Sequence, residues 1–137
     1  MYRCAAAILT DAEGRVLLLW QPRGLYGLPG GVVEPEETPP QAAVREAREE
    51  IGVEIGLEYL VGTYRLRGGG KVDMVNSVYK AHVIFGTPHV AAKTEVVRLE
   101  WFARGGLPSP INNDARVAIP DFWAGRRGVV REVQRLP

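Results

Sequence analysis

One stretch of this chain constrains its own structure more tightly than any other, residues 39–51. Thr38 is followed by Pro39 and, three positions after Thr38, by Gln41, a capping box with proline at the first helical position. Gly52 then supplies the usual helix stop. At about 100° per residue, Ala43, Val44, Ala47 and Ile51 gather on one arc. Glu46, Glu49 and Glu50 gather on a neighbouring one. The helix therefore has an apolar side that needs a partner and a side on which three carboxylates converge.

The partner must be a sheet, because β-rich runs flank the helix in both directions. Tyr2 to Leu9 and Arg15 to Trp20 are separated by the turn formers of residues 10–14 and read as a hairpin. A loop punctuated by Gly and Pro runs from Gln21 to Pro40. Two further strand-like runs, Leu57 to Arg67 and Val72 to Phe85, are separated by Gly68, Gly69 and Gly70. In the second, the odd positions Val75, Tyr79, Ala81, Val83 and Phe85 predict one buried face. A last strand is expected from Glu95 to Phe102, and a helix from Ile111 to Trp123 that Pro120 weakens near its end. Residues 125–137 carry no assignable pattern. Strands on both sides of a helix, with no repeat or linker, predict one α/β domain with a mixed sheet over residues 1–137.

Lys plus Arg number 17 and Asp plus Glu 16, a balance that gives no overall field for holding DNA, RNA or an anionic membrane. Any handling of anions must be local. The single cysteine, Cys4, has no internal disulfide partner and no histidine near it in sequence, and it reads as a core thiol. The first apolar run ends at Thr10 and Asp11, too short for a signal peptide or a membrane span, so a cytoplasmic protein is expected.

Crowded carboxylates on one helical arc repel one another unless something cationic sits among them. A hard divalent ion meets that need, since Mg²⁺ takes oxygen ligands from carboxylates and phosphates. Arg45, one turn before Glu49, can orient it through a charge-assisted bond. From the helix alone a solvated face of Arg–Glu pairs is an equal reading. Leu28, Pro29, Gly30 and Gly31 precede it, and backbone without Cβ can approach a ligand closely there.

Together Gly31, Glu37, Arg45, Glu46, Ala47, Glu49, Glu50, Gly52 and Val53 match every fixed position of the Nudix box, G-x5-E-x7-R-E-U-x-E-E-x-G-U. The chain thus resembles the Nudix hydrolase family over most of its length. The resemblance implies an α/β/α sandwich with a mixed β-sheet that hydrolyses nucleoside diphosphate derivatives with Mg²⁺ or Mn²⁺. It further implies Glu46, Glu49 and Glu50 as metal ligands with the Gly31 carbonyl, supported by Glu37 and Gly30. Glu49, Glu50 and Arg45 form the catalytic group, with either Glu49 or Glu50 as the base. Many relatives add an acidic ligand shortly before a strand tryptophan; Glu95 precedes Trp101 by six positions, and Glu100 is its competitor. One departure is Glu36, where many relatives carry glycine.

Substrate contacts are sought in the flanking loops. Arg23 is a candidate phosphate clamp or a solvated arginine. Tyr26 either stacks on a base or packs locally. Asn112, Asn113 and Asp114 fall where some relatives read the base, or else form a helix N-cap. The glycines and Lys71 stand where ADP-ribose-type relatives show proline and dinucleoside polyphosphate relatives show tyrosine, and the long motif of NADH-cleaving relatives is absent. A nucleoside triphosphate pyrophosphohydrolase is the leading expectation. ADP-ribose, a nucleotide sugar or a dinucleoside polyphosphate are alternatives. A different class is a nucleotide-sensing module of the same fold; such modules commonly lose box glutamates, and this chain keeps them all. The expected partner is a nucleotide-like small molecule, and a homodimer stays open. His82 and His89 lack metal-like spacing. Arg126, Arg127, Arg131 and Arg135 read as a solvated tail or as contacts to RNA or polyphosphate.

Overall fold

The computed structural model describes residues 1–136. In chain order the elements are β1 (Tyr2–Ile8), β2 (Val16–Gln21), β3 (Leu25–Gly27), β4 (Gly30–Val32), α1 (Pro39–Ile51), β5 (Glu54–Arg67), β6 (Met74–Phe85), β7 (Arg98–Phe102), α2 (Asn113–Trp123) and β8 (Val129–Gln134). A mixed sheet of order β4-β1-β6-β5-β8 carries two parallel pairings, β1 with β6 and β5 with β8. A smaller antiparallel sheet has the order β3-β2-β7.

The two helices cover opposite faces of the mixed sheet. Ala115, Ala118 and Ile119 of α2 pack with Ala6, Ile8, Val61, Tyr64 and Val78. Ala47 and Ile51 of α1 pack with Ala7, Ile55 and Ala81 on the other face, and Ala42 and Ala43 lie against Ala5. Small residues on β1 let α1 approach it closely, while α2 lies over β5, β6 and β8 on the other face, and a strand buried on both faces reads as the continuous apolar run seen here. Among the described residues no helix is long and apolar enough to cross a membrane.

Four expectations change. The chain does turn at Asp11 to Arg15, where Asp11 N–H donates to the Arg15 carbonyl at 3.0 Å, but β1 and β2 are no simple hairpin. They part into different sheets, β1 between β4 and β6, β2 between β3 and β7. Neither strand has a polar face: Ala5 to Leu9 and Val16 to Leu19 are all at most 3% exposed, so each needs cover on two sides. In β6 the even residue Val78 is buried as well as the odd Ala81, because both sheet faces are covered, while Phe85 is exposed. The strand expected from Glu95 starts only at Arg98, as β7, leaving Glu95 in the loop before it. The unassigned tail contains β8, paired with β5 from Gly62 to Arg67; its final residue, Pro137, lies outside the described residues.

Candidate active site

The helix forms over the predicted residues. Thr38 Oγ1 accepts from Gln41 N–H and Gln41 Oε1 accepts from Thr38 N–H at 2.9 Å. Gly52 ends the helix in the left-handed region at φ 68°, where a side chain would be strained. Arg45 is the electrostatic hub. It donates to both oxygens of Glu37 at 2.6 and 3.0 Å, to Glu46 at 3.0 Å, to Glu49 at 3.1 Å and to the Val32 carbonyl at 3.0 Å. Glu37 also accepts from Glu34 N–H at 3.0 Å, so it braces the loop before α1 against the helix. The paired arginine and N–H hold its carboxyl below the ordinary range.

Glu50 points inward and is 5% exposed. Its Oε1 accepts from Gly30 N–H at 2.8 Å. Burial, with Glu46, Glu95 and Glu49 nearby, pushes its carboxyl up to about 8 despite that bond. Burial likewise raises Glu46, outweighing the help from Arg45. Glu46 lies against the Cα of Gly31, where a Cβ would come within 2.6 Å of its carboxyl carbon. The glycine is therefore a steric requirement for this approach, and Gly30, packed on Ala6, is another.

The fourth carboxylate arrives on the loop between β6 and β7. The last turn of a helix leaves carbonyls without partners, and this loop supplies them: His89 N–H donates to Ile51 at 3.1 Å and Ala91 N–H to Glu50 at 3.0 Å. Docked in this way, the loop brings Glu95 to Glu46 and Glu50, and one carboxylate oxygen of each lies within 4.8 Å of the others. Glu49, on the rim, is turned to solvent. Glu100 sits elsewhere, accepting from Tyr26 Oη at 2.8 Å and Arg98 Nε at 2.5 Å. His89 packs on Gly52, and neither histidine joins a metal-holding group among the described residues.

A cavity of about 200 Å³ adjoins this centre, with Gly30, Gly31 and Arg23 at the shared boundary. Cys4, Asn76 and Asp114 line its interior, and Asn112 and Asn113 its wall. Asn76 donates to Asp114, whose carboxyl is raised by burial. The sequence reading missed Asn76 and Gln21: Asn76 is one of several polar residues of β6, with Ser77, Lys80 and His82, and Gln21 is the last residue of β2, so no pattern singles either out. Burial pushes the Cys4 thiol up to about 11, so it is no nucleophile at neutral pH.

Tyr26 is not a stacking platform. It is 8% exposed, lodged edge-on between Trp20 and Phe102 at 4.7 and 5.2 Å, because β2 pairs with both β3 and β7. Asn113 accepts from Arg116 and from Leu136 N–H, both at 3.3 Å. The terminal arginines are not a loose tail either: Arg126 and Arg131 bind Asp121, Arg127 covers the Tyr59 ring at 3.8 Å, and Arg135 binds the carbonyls of Gly68, Lys71 and Val72.

The NUDIX domain model matches residues 2–122. A crystal structure of a MutT NUDIX hydrolase from Burkholderia pseudomallei superposes with a TM-score of 0.78 at 31% identity, covering 88% of this chain and 96% of that one. A CTP pyrophosphohydrolase of Escherichia coli (strain K12) is 36% identical over 77 residues, 53% of this chain and 56% of that protein. An 8-oxo-dGTP diphosphatase of Proteus vulgaris is 38% identical over 56 residues, 37% of this chain and 50% of that protein. The chain thus matches about half the length of these two relatives.

Proposed function

Because the chain belongs to the Nudix hydrolase family, whose members act on phosphoric anhydride bonds, we propose that it is a divalent-metal-dependent nucleoside triphosphate pyrophosphohydrolase, the whole chain acting as one such domain. The carrying observation is the convergence of Glu46, Glu50 and Glu95 within 4.8 Å beside a cavity. Three carboxylates so placed, two of them raised by burial, suit a hard divalent ion, and an all-oxygen donor set fits Mg²⁺ or Mn²⁺. Glu46, Glu50 and Glu95 would hold the ion with the Gly31 carbonyl, and Glu49 would join them from the rim. When bound, the ion neutralises charge on phosphate oxygens and acidifies water.

The side chains of the chain do the rest. Gly30 N–H fixes the Glu50 carboxylate in one orientation. Arg45, tied to Glu37, anchors one oxygen of Glu49 and leaves the other facing solvent, so Glu49 is the group placed to take a proton from attacking water. Arg23, at the boundary of cavity and acidic centre, binds the diphosphate, and the cavity takes the nucleoside. The triphosphate substrate class draws on the similarity to the CTP pyrophosphohydrolase and the 8-oxo-dGTP diphosphatase.

The test is a hydrolysis screen with Mg²⁺ over the canonical and oxidised deoxynucleoside triphosphates, CTP, ADP-ribose, a nucleotide sugar and a dinucleoside polyphosphate. Release of pyrophosphate from a triphosphate is expected. Preference for a nucleotide sugar or ADP-ribose would overturn the substrate class, and binding without turnover would favour a sensing module.

A further inference from the structure

Arg23 sits in the turn between β2 and β3, where Gly24 N–H closes on the Gln21 carbonyl at 2.9 Å. An exposed arginine on such a turn normally samples many rotamers, and fixing it costs side-chain entropy. This one is held at both ends of its guanidinium: Nε donates to Gln21 Oε1 at 3.1 Å and Nη2 to Asn112 Oδ1 at 2.8 Å. Both acceptors are neutral. Among the described residues Arg23 has no carboxylate within ion-pair distance, whereas Arg45 has four. Asp114 feels the Arg23 charge only at a distance, without a direct ion pair, so a guanidinium restrained by carbonyls keeps its remaining N–H donors and most of its field for an anion from outside.

Asn112 gives up something to do this. It is the N-cap residue of α2, yet its side chain makes no capping bond, although asparagine is among the residues that cap best in that position. Its backbone is mounted rigidly, with N–H donating to the Tyr26 carbonyl at 2.8 Å and the carbonyl accepting from Arg116 N–H at 3.0 Å. The amide packs closely against Gly27, where any Cβ would strike both Asn112 Nδ2 and Gln21 Nε2. A local rule broken this way, with a steric hole prepared for the alternative, is the pattern of a functional position.

We infer that Asn112 is a positioning residue that, with Gln21, holds the Arg23 guanidinium, free of any direct ion pair among the described residues, where the substrate diphosphate passes from cavity to acidic centre, and that it does not read the base. This rests on the assignment of Arg23 as the diphosphate clamp. A kinetic double-mutant cycle separates the two. Arg23→Ala, Asn112→Ala, the double variant and Asn112→Ser are assayed with Mg²⁺ on dGTP, dCTP, dATP, dTTP and ADP-ribose, beside thermal melts. Arg23→Ala should lower kcat/KM about a hundredfold, Asn112→Ala about tenfold, and the double variant no more than about twofold beyond Arg23→Ala. Asn112→Ser can cap α2 but is too short to hold Arg23, so it should match Asn112→Ala in activity while melting no lower than wild type. The order of preference among the nucleotides should stay that of wild type. Multiplicative losses, a reordered base preference, or wild-type activity in Asn112→Ser would overturn the inference. A silent Arg23→Ala would instead remove the clamp itself, and the inference with it.

Discussion

Among the described residues Glu50 and Asp121 are acids that are less than a tenth exposed, and their surroundings are opposites. Asp121, on α2, is 3% exposed and accepts from Arg131 twice at 2.8 Å, from Arg126 at 3.1 Å and from Tyr64 Oη at 2.9 Å. These bonds outweigh burial and hold it below the ordinary carboxylate range. Glu50, on α1, is 5% exposed with one neutral N–H donor. Its other neighbours are carboxylates, and it is pushed up to about 8. The fold therefore brings two arginines across to satisfy one buried acid, yet leaves another among its own kind. A buried acid without a cationic partner is costly to ionise, so Asp121 is compensated from within the chain, while under the proposed function the ionised form of Glu50 waits for a cation from outside.

The sharpest way to break this comparison is to withhold that cation. Excess EDTA should abolish turnover of any substrate found, and Mg²⁺ should raise the melting temperature of the wild type; undiminished turnover in EDTA would mean the acids are not a metal site. Next comes a crossed pair of variants. Glu50→Gln should reduce turnover about a hundredfold or more while leaving the metal-free protein as stable as wild type or more so. Asp121→Asn should do the reverse, destabilising by about 2–4 kcal/mol by breaking charge-assisted bonds, with near-normal turnover in the folded fraction. If Glu50→Gln instead unfolds the apo protein and keeps its rate, the distinction between the two acids collapses.

The pH dependence sharpens it further. Glu50 is raised on folding, so without metal the folded state holds its proton more tightly than the unfolded chain. That contribution is fully present below the ordinary glutamate value and is lost as pH rises toward about 8. Asp121 is lowered, so its contribution is present above the ordinary aspartate value and is lost as pH falls through the folded one. Metal-free wild type should therefore lose several degrees of melting temperature relative to Glu50→Gln between about pH 5 and about pH 9, and the gap to Asp121→Asn should close only in strong acid. A wild-type-minus-Glu50→Gln difference that stays flat across that window would show that Glu50 is not destabilised by its neighbours.

How much of this was readable beforehand follows from the range of each interaction. The helix limits Pro39 and Ile51 emerge unchanged, because a capping box and a glycine stop act over a few residues. The neighbourhood of Glu46 and Glu50 is equally local, whereas Glu49 turns to solvent and Glu95 takes the third place in the cluster. What could not be read depends on partners far along the chain: the separation of β1 from β2 into two sheets, and the burial of Tyr26 between Trp20 and Phe102. β8 was hidden because it is a short edge strand, and its Arg131, like Arg127 just before it, finds its partner, Asp121 and Tyr59 respectively, only in three dimensions. The contact of Arg23 with Asn112 spans 89 positions, and no periodicity signals it.

The smallest effect expected concerns Glu95 and Glu100, a second acid pair that repeats the contrast of Glu50 and Asp121. Glu100 has a cation and a hydroxyl, Arg98 and Tyr26, which hold it below the ordinary range. Glu95 has neither; it is carried to Glu46 and Glu50 by a loop whose backbone caps the last turn of α1. If uncompensated acids mark the metal site, Glu95→Gln should lower turnover about tenfold and weaken the Mg²⁺ dependence, because a ligand is lost. Glu100→Gln should leave the rate within about twofold and cost under about 1 kcal/mol of stability, since the Arg98 pair it weakens is a partly exposed one. Both variants preserve size, and each is to be measured at limiting and saturating Mg²⁺ on one confirmed substrate. A damaging Glu100→Gln beside a silent Glu95→Gln would move the metal site away from the loop and break the link between charge imbalance and function at its weakest point.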